Sequence, residues 1–155
     1  MNNAEKLFAP SHIIFNHEVE TKEECLKELS HQAQVLGIAS DKEKILAGFF
    51  VREEECTTGF GGGLAIPHTK CEAVLHPGIL FFKSRKGMDW QAFDDQPVYA
   101  AIALLVPASN EGNLHLSLLS SLSRKLINKE FKEKLLYAEN KETVYEIIID
   151  AIKED

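Results

Sequence analysis

Long apolar runs, paired cysteines and an excess of positive charge are all missing from this sequence, and each absence removes a class of function. The most continuous hydrophobic stretch, VYAAIALLVP at residues 98–107, is about half the length of a membrane-spanning helix. The opening residues MNNAEKLFAP lack a basic segment followed by an apolar one, so a cytoplasmic protein is expected. Cys25, Cys56 and Cys71 are odd in number and form no C-x-x-C pair, which indicates neither a disulfide framework nor a zinc ribbon and fits a reducing compartment. With 17 Lys and Arg against 24 Asp and Glu the formal charge is -7, the wrong sign for a surface built to neutralise nucleic-acid phosphates or anionic lipid. There is no repeat, no low-complexity block and no Pro/Ser-rich linker.

What remains is the pattern of one domain. At 155 residues and 45% hydrophobic composition, the chain can bury one sizeable core and is too short to favour two, so residues 1–155 read as a single unit. Ser11 to Phe15 reads as a short first strand. Thr21-Lys22-Glu23-Glu24 forms a capping box that opens a helix with Leu26, Leu29, Ala33 and Leu36 on one face, ended by Gly37. A second capping box, Ser40 to Glu43, predicts another helix with Ile45, Leu46, Phe49 and Phe50 inward and Arg52 in its last turn.

Further strands are expected at 63–66, 78–84 and 97–106, the last apolar on both faces and therefore central. Beyond Pro107 the period changes from two to about 3.6, with Asn113 as a candidate N-cap, His115 in the first turn and Leu119, Leu122 and Leu126 along a stripe. Lys129 to Tyr137 and Lys141 to Ile152 read as closing amphipathic helices. The expected class is an α/β layered domain, a mixed sheet with helices on both faces.

The stretch GFGGGLAIPHTK at 59–70 is the most unusual in the chain. Glycines supply positive φ or close backbone approach, and a proline removes a ladder donor; His68 follows both. An imidazole there is a candidate nucleophile or general base, since its ordinary pKa of about 6.5 leaves much of it neutral near pH 7. The amides of Gly61, Gly62 and Gly63, with Thr69 just past the histidine, form a candidate phosphoryl-binding loop in the manner of a backbone nest. The alternative is an ordinary turn beside a hydrogen-bonded strand-end residue. His115, at a helix start that favours anions and disfavours imidazolium, is either a second site residue or a core-stripe histidine. Arg52 offers a planar fork for phosphoryl oxygens or a partner for its own helix end.

His12, His17, His31 and His76 lie in contexts that ordinary polar residues serve equally well. No H-E-x-x-H, G-x-S-x-G or Walker pattern is present, and GFGGG does not run directly into a helix as a dinucleotide fingerprint would. A metallohydrolase assembled from scattered ligands such as His68, His115 and Asp94 is the competing enzyme class.

Arg52, the run GGGLAIPHT at 61–69 and His115 opening a leucine-rich helix together resemble the fructose/mannitol-type enzyme IIA domain of the bacterial phosphoenolpyruvate-dependent sugar phosphotransferase system, over nearly the whole chain. The resemblance implies that His68 accepts a phosphoryl group from the phosphohistidine of the carrier protein HPr and passes it to a cysteine of an enzyme IIB. It further implies that His115 supports the active imidazole, that Arg52 adds positive charge, and that no metal, nucleotide or other cofactor is needed. Phe60, Leu64 and Ile66 are then the expected apolar collar for partner docking, and the membrane is reached only through the IIC component. Within the family, MDWQAFDDQPV at 88–98 looks like the sugar-transporting branch, fructose being the commonest implication; a regulatory, nitrogen-type paralogue that signals by protein binding is the alternative.

Overall fold

The protein is described by a computed structural model, covering the backbone of residues 3–109 and 113–153 and the side chains of residues 4–109 and 119–153. A mixed sheet of six strands forms the middle layer: β1 (Ile13–Phe15), β2 (Gly59–Gly61), β3 (Leu64–Ala65), β4 (His68–Cys71), β5 (Gly78–Met88) and β6 (Val98–Pro107). The path runs β1-β5-β6-β3-β2, with β4 also on β6. The helices are α1 (Asn3–Leu7), α2 (Lys22–Val35), α3 (Lys42–Glu55), α4 (Asn113–Lys125), α5 (Lys129–Tyr137) and α6 (Lys141–Lys153).

Period-two alternation in the two long strands explains the layering. Leu80 and Phe82 of β5 and Ala101, Ala103 and Leu105 of β6 point to one face, where Leu26, Leu29 and Ala33 of α2 and Ile45 and Phe49 of α3 cover them. Ile79 and Phe81, with Ala100, Ile102 and Leu104, point to the other face, against Leu122 of α4 and Val144 and Ile148 of α6. Each fully buried Leu, Ile or Phe contributes about 1.5–3 kcal/mol relative to exposure, so a strand apolar on both faces is stable only with helices on both. The fold class read from the sequence is the one observed.

The capping box at Thr21 forms: its hydroxyl oxygen accepts from the Glu24 amide at 3.2 Å, and the Glu24 carboxylate accepts from the Thr21 hydroxyl and the Glu20 amide. The second box does not. Asp41 is the N-cap of α3 and accepts from the Glu43 amide at 2.9 Å, while Ser40 turns away and its amide donates to the Ala73 carbonyl at 2.9 Å. A carboxylate one residue later competes successfully for the free amides. Gly37 ends α2 with φ +77.

The glycine run is half strand and half turn. Gly59–Gly61 pairs antiparallel with Leu64–Ala65, and Gly62 and Gly63 connect them with φ +72 and +85, the signs a two-residue type I′ hairpin requires at both central positions. The strand expected at 63–66 is shorter, and His68 begins a strand instead of ending one. Leu64 pairs with Ala100 and His68 with Leu104, so β3 and β4 keep one register along β6 and are interrupted only at Ile66-Pro67.

Two features of this packing have measurable consequences. Gly48, in the middle of α3, lies so close to β4 that an added Cβ would stand 2.2 Å from Thr69 Oγ1 and 3.3 Å from its Cβ. On an exposed helix, alanine for glycine adds about 1 kcal/mol; here the sign reverses, because overpacking costs about 1–3 kcal/mol. Gly48→Ala is expected to lower the urea midpoint, and Thr69→Ala combined with it to recover most of the loss. His12 is buried against Phe8, and its Nδ1 lies 2.9 Å from the Ile79 carbonyl. Burial lowers its pKa below the ordinary 6.5, with the Ile79 bond opposing. The unfolded chain therefore takes up this proton at higher pH than the folded one. The contribution to stability is complete above about pH 6.5 and shrinks as pH falls from there toward the lower folded value. In urea titrations between pH 7 and 5, His12→Gln, whose amide can still donate to Ile79, is expected to show a shallower fall than the parent chain.

Candidate active site

His68 is half-buried at the first position of β4. Its Nδ1 lies 2.9 Å from the Ile66 carbonyl oxygen, and its Nε2 lies 3.0 Å from Nε of Arg52. A carbonyl can only accept and a guanidinium can only donate. Both contacts therefore select one tautomer, a neutral ring with its proton on Nδ1 and its lone pair on Nε2. The ring nitrogen available for bond formation is Nε2.

Arg52 reaches the ring from the last turn of α3, and its Nη1 donates to the Cys56 carbonyl at 2.7 Å. One side chain thus meets both the end of its own helix and the imidazole. The bond to Cys56 closes the orphan carbonyls at the helix C-terminus and at the same time fixes the guanidinium over Nε2.

The imidazole opens into a groove of about 940 Å³ between the sheet and α4, whose lining includes Phe60, Gly61, Ile66, Lys70, Arg124 and Lys132. Of its sixteen described lining residues three are cationic and none is acidic, in a chain of formal charge -7; this local reversal of sign favours an anion. Lys70, Arg124 and Lys132 were not legible as site residues, because nothing in their local sequence separates them from the solvated charges of other helices and strands. Among the described residues no group of three His, Cys, Asp or Glu could hold a metal ion, and no helix is long and apolar enough to cross a membrane.

The other expected residues divide. Gly61 lines the groove. Gly62 and Gly63 sit at the hairpin tip and face a separate cavity of about 630 Å³ with Lys83 and Tyr99. The Gly62 amide donates to Asp94 Oδ2 at 3.1 Å, so that amide is not presented to an anion at His68, and the nest expected there is corrected to a carboxylate-anchored turn. Asp94 also accepts from the Gln96 amide, and the two backbone bonds hold its carboxyl below the usual range. Thr69 lines the groove but is buried and packs on Gly48. Phe60 is 49% exposed and stacks on the exposed Phe93, and Ile66 is half-buried. Leu64 is 2% exposed and belongs to the core, and it also lines the floor of the groove beside Ile66. His115 lies on the first turn of α4, and its side chain falls outside the described residues.

Comparison with known proteins agrees with this geometry. The family profile "Phosphoenolpyruvate-dependent sugar phosphotransferase system, EIIA 2" matches residues 6–151. The chain is 40% identical over 133 residues to the PTS system fructose-specific EIIA component of Haloferax volcanii, covering 86% of each protein. Among solved structures it superposes on the nitrogen regulatory protein IIA-Ntr of Neisseria meningitidis with a TM-score of 0.80 at 29% identity, covering 92% of this chain and 97% of that one. It shares the fold of enzyme IIA-Mtl of Escherichia coli, determined in complex with phosphorylated enzyme IIB-Mtl, with a TM-score of 0.74 at 23% identity, covering 92% and 97%. A match over residues 6–151, with the A-I-P-H histidine held by arginine at the sheet edge, means that the chain belongs to the EIIA type 2 family of the sugar phosphotransferase system.

Proposed function

We propose that the protein is a cytoplasmic phosphoryl carrier for sugar uptake, fructose-type, that takes a phosphoryl group from phospho-HPr onto Nε2 of His68 and hands it to a cysteine of an enzyme IIB. The observation that carries this reading is the pair of contacts on the ring, Ile66 oxygen at Nδ1 and Arg52 Nε at Nε2. The fructose assignment rests on the name of the Haloferax relative, and the IIB acceptor on the complex formed by the mannitol protein.

In the transfer, the Nε2 lone pair forms a bond to phosphorus as the bond from phosphorus to the donor imidazole breaks, and that electron pair returns to the donor ring. The Nδ1 proton stays on His68. Its bond to the Ile66 carbonyl stabilises the positive charge the ring acquires, a group aimed in advance at charge that develops during reaction. Arg52 must release Nε2 for the attack, and its guanidinium is then free to pair with the phosphoryl oxygens. The chemistry asks for in-line placement and charge stabilisation, with no metal, nucleotide or other cofactor. Partner docking falls to Phe60 and Ile66 beside the ring, with the cationic groove rim as the polar margin. The membrane enters only through the IIC component.

On incubation with phospho-HPr, His68→Ala is expected to take no label, whereas His115→Ala, by the family role of that histidine, is expected to be labelled yet pass the group on poorly. Normal labelling of His68→Ala would overturn the nucleophile assignment. The likeness to IIA-Ntr supports a second reading, a regulatory paralogue that binds targets according to its phosphorylation state. Passage of label from His68 to a IIB cysteine decides for transport, and retention of label with IIB present decides for regulation.

A further inference from the structure

Next to Arg52 on α3 stands Glu53, a carboxylate whose side chain is 3% exposed. Its Oε1 accepts from the Thr58 amide and from Trp90 Nε1, each at 3.2 Å, and lies 3.9 Å from Lys22 Nζ. Its Oε2 accepts from the Thr58 hydroxyl. A buried carboxylate needs partners wherever it stands. What distinguishes this one is where those partners lead.

Thr58 is the last residue before β2 and is fully buried. Its carbonyl accepts from the Ile66 amide at 3.0 Å, and the Ile66 carbonyl is the oxygen that holds Nδ1 of His68 at 2.9 Å. An unbroken series of hydrogen bonds thus runs Glu53, Thr58, Ile66, His68. The last turn of α3 reaches both ring nitrogens: Arg52 meets Nε2 directly, and Glu53 connects to Nδ1 through Thr58 and Ile66.

The segment 88–98 enters the same construction. Trp90 donates to Glu53, the Phe93 amide donates to the Gly59 carbonyl at 2.9 Å, and Asp94 accepts from Gly62. An added Cβ on Gly59 would meet Ala92 Cβ at 2.9 Å and Trp90 Cδ1 at 3.0 Å. This segment therefore lies directly against the β2-β3 hairpin that leads into His68.

We propose that Glu53 is a positioning residue that fixes the imidazole of His68 in its Nδ1-protonated tautomer through Thr58 and Ile66, with Trp90 holding the carboxylate in place. The proposal rests on His68 being the phosphoryl acceptor, and its test separates the two. Nitrogen-15 NMR of the histidine rings in the unphosphorylated protein should find His68 as the single Nδ1-protonated form. Glu53→Gln keeps the shape and removes the charge. It is expected to give a mixture of tautomers and to slow labelling at saturating phospho-HPr by about tenfold, a misplacement effect, with the half-saturating donor concentration unchanged within about twofold. Thr58→Val keeps the carboxylate and removes only the hydroxyl donor, and is expected to shift both readouts in the same direction by less; it carries the test if Glu53→Gln fails to fold. Retention of the single tautomer in the folded variants, or a changed tautomer with no loss of rate, would overturn the proposal. Failure of the parent chain to take label on His68 would overturn the carrier reading instead, and the tautomer comparison would still decide the role of Glu53.

Discussion

The carbonyl oxygen of Ile66 lies where a strand would ordinarily direct it into a ladder, and here it accepts the Nδ1 proton of His68. Pro67 makes this possible. Having no N–H, it cannot continue the pairing with β6 from its amide, and the strand is interrupted for Ile66 and Pro67 before β4 resumes in the same register. The Pro67 carbonyl still accepts from the Leu104 amide at 3.0 Å. The gap is thus closed on the β6 side while the Ile66 oxygen is left for the ring. The sequence Ile-Pro-His is a device for turning one backbone acceptor from structure to chemistry without moving the strand.

The framework that holds this gap is stiff because it is buried from both sides. Beneath it, α3 approaches β4 so closely that only a hydrogen fits at Gly48 opposite Thr69; a glycine in mid-helix costs intrinsic helix stability and is offset by that contact. At the rim, Lys70, Arg124 and Lys132 gather around the groove while the chain as a whole carries -7. The whole-molecule field repels anions in general, and the local field, within about a Debye length of 8–10 Å, attracts one at the groove. Net charge alone gave no sign of this local field.

How much was legible follows from the range of the interactions involved. The Thr21 cap, the two apolar faces of residues 98–106 and the stripes of α5 and α6 are local patterns, and the structure has them nearly where the periodicity put them. The N-cap of α3 was misplaced by one residue because two good cap residues, Ser40 and Asp41, stand side by side, and Ala73, distant in sequence, takes Ser40. Strand β2 was hidden in GFGGG because glycine is poor in strands; the pairing with Leu64–Ala65 and the packing of Trp90 and Ala92 on Gly59 supply what propensity lacks. Leu64 was expected in the docking collar because it neighbours the motif; side chains alternate along a strand, and its side belongs to the core while lining the groove floor. His68 could be singled out from its neighbours, but which of its nitrogens carries the lone pair depends on Arg52, sixteen residues away. Glu53, Thr58 and Trp90 left no local signal at all, since their link appears only when three separate segments meet.

If His68 is the acceptor proposed above, it has to release what it accepts, and the geometry at Nε2 bears on that. In the resting site the lone pair is occupied by the Arg52 Nε–H, so forming a bond to phosphorus costs one hydrogen bond, and losing the phosphoryl group restores it. A guanidinium bond to a neutral imidazole is exchanged for a charge-assisted bond to an oxyanion, and returned when the group leaves. Because Arg52 stays tied to the Cys56 carbonyl at 2.7 Å, the guanidinium has little freedom to follow the phosphoryl group outward or to enclose it. A site that surrounded the dianion with many fixed donors would bind it as a product. One tethered arginine, a half-buried ring and a groove open to a protein partner instead leave the phosphoryl group stable enough to wait and accessible enough to be taken.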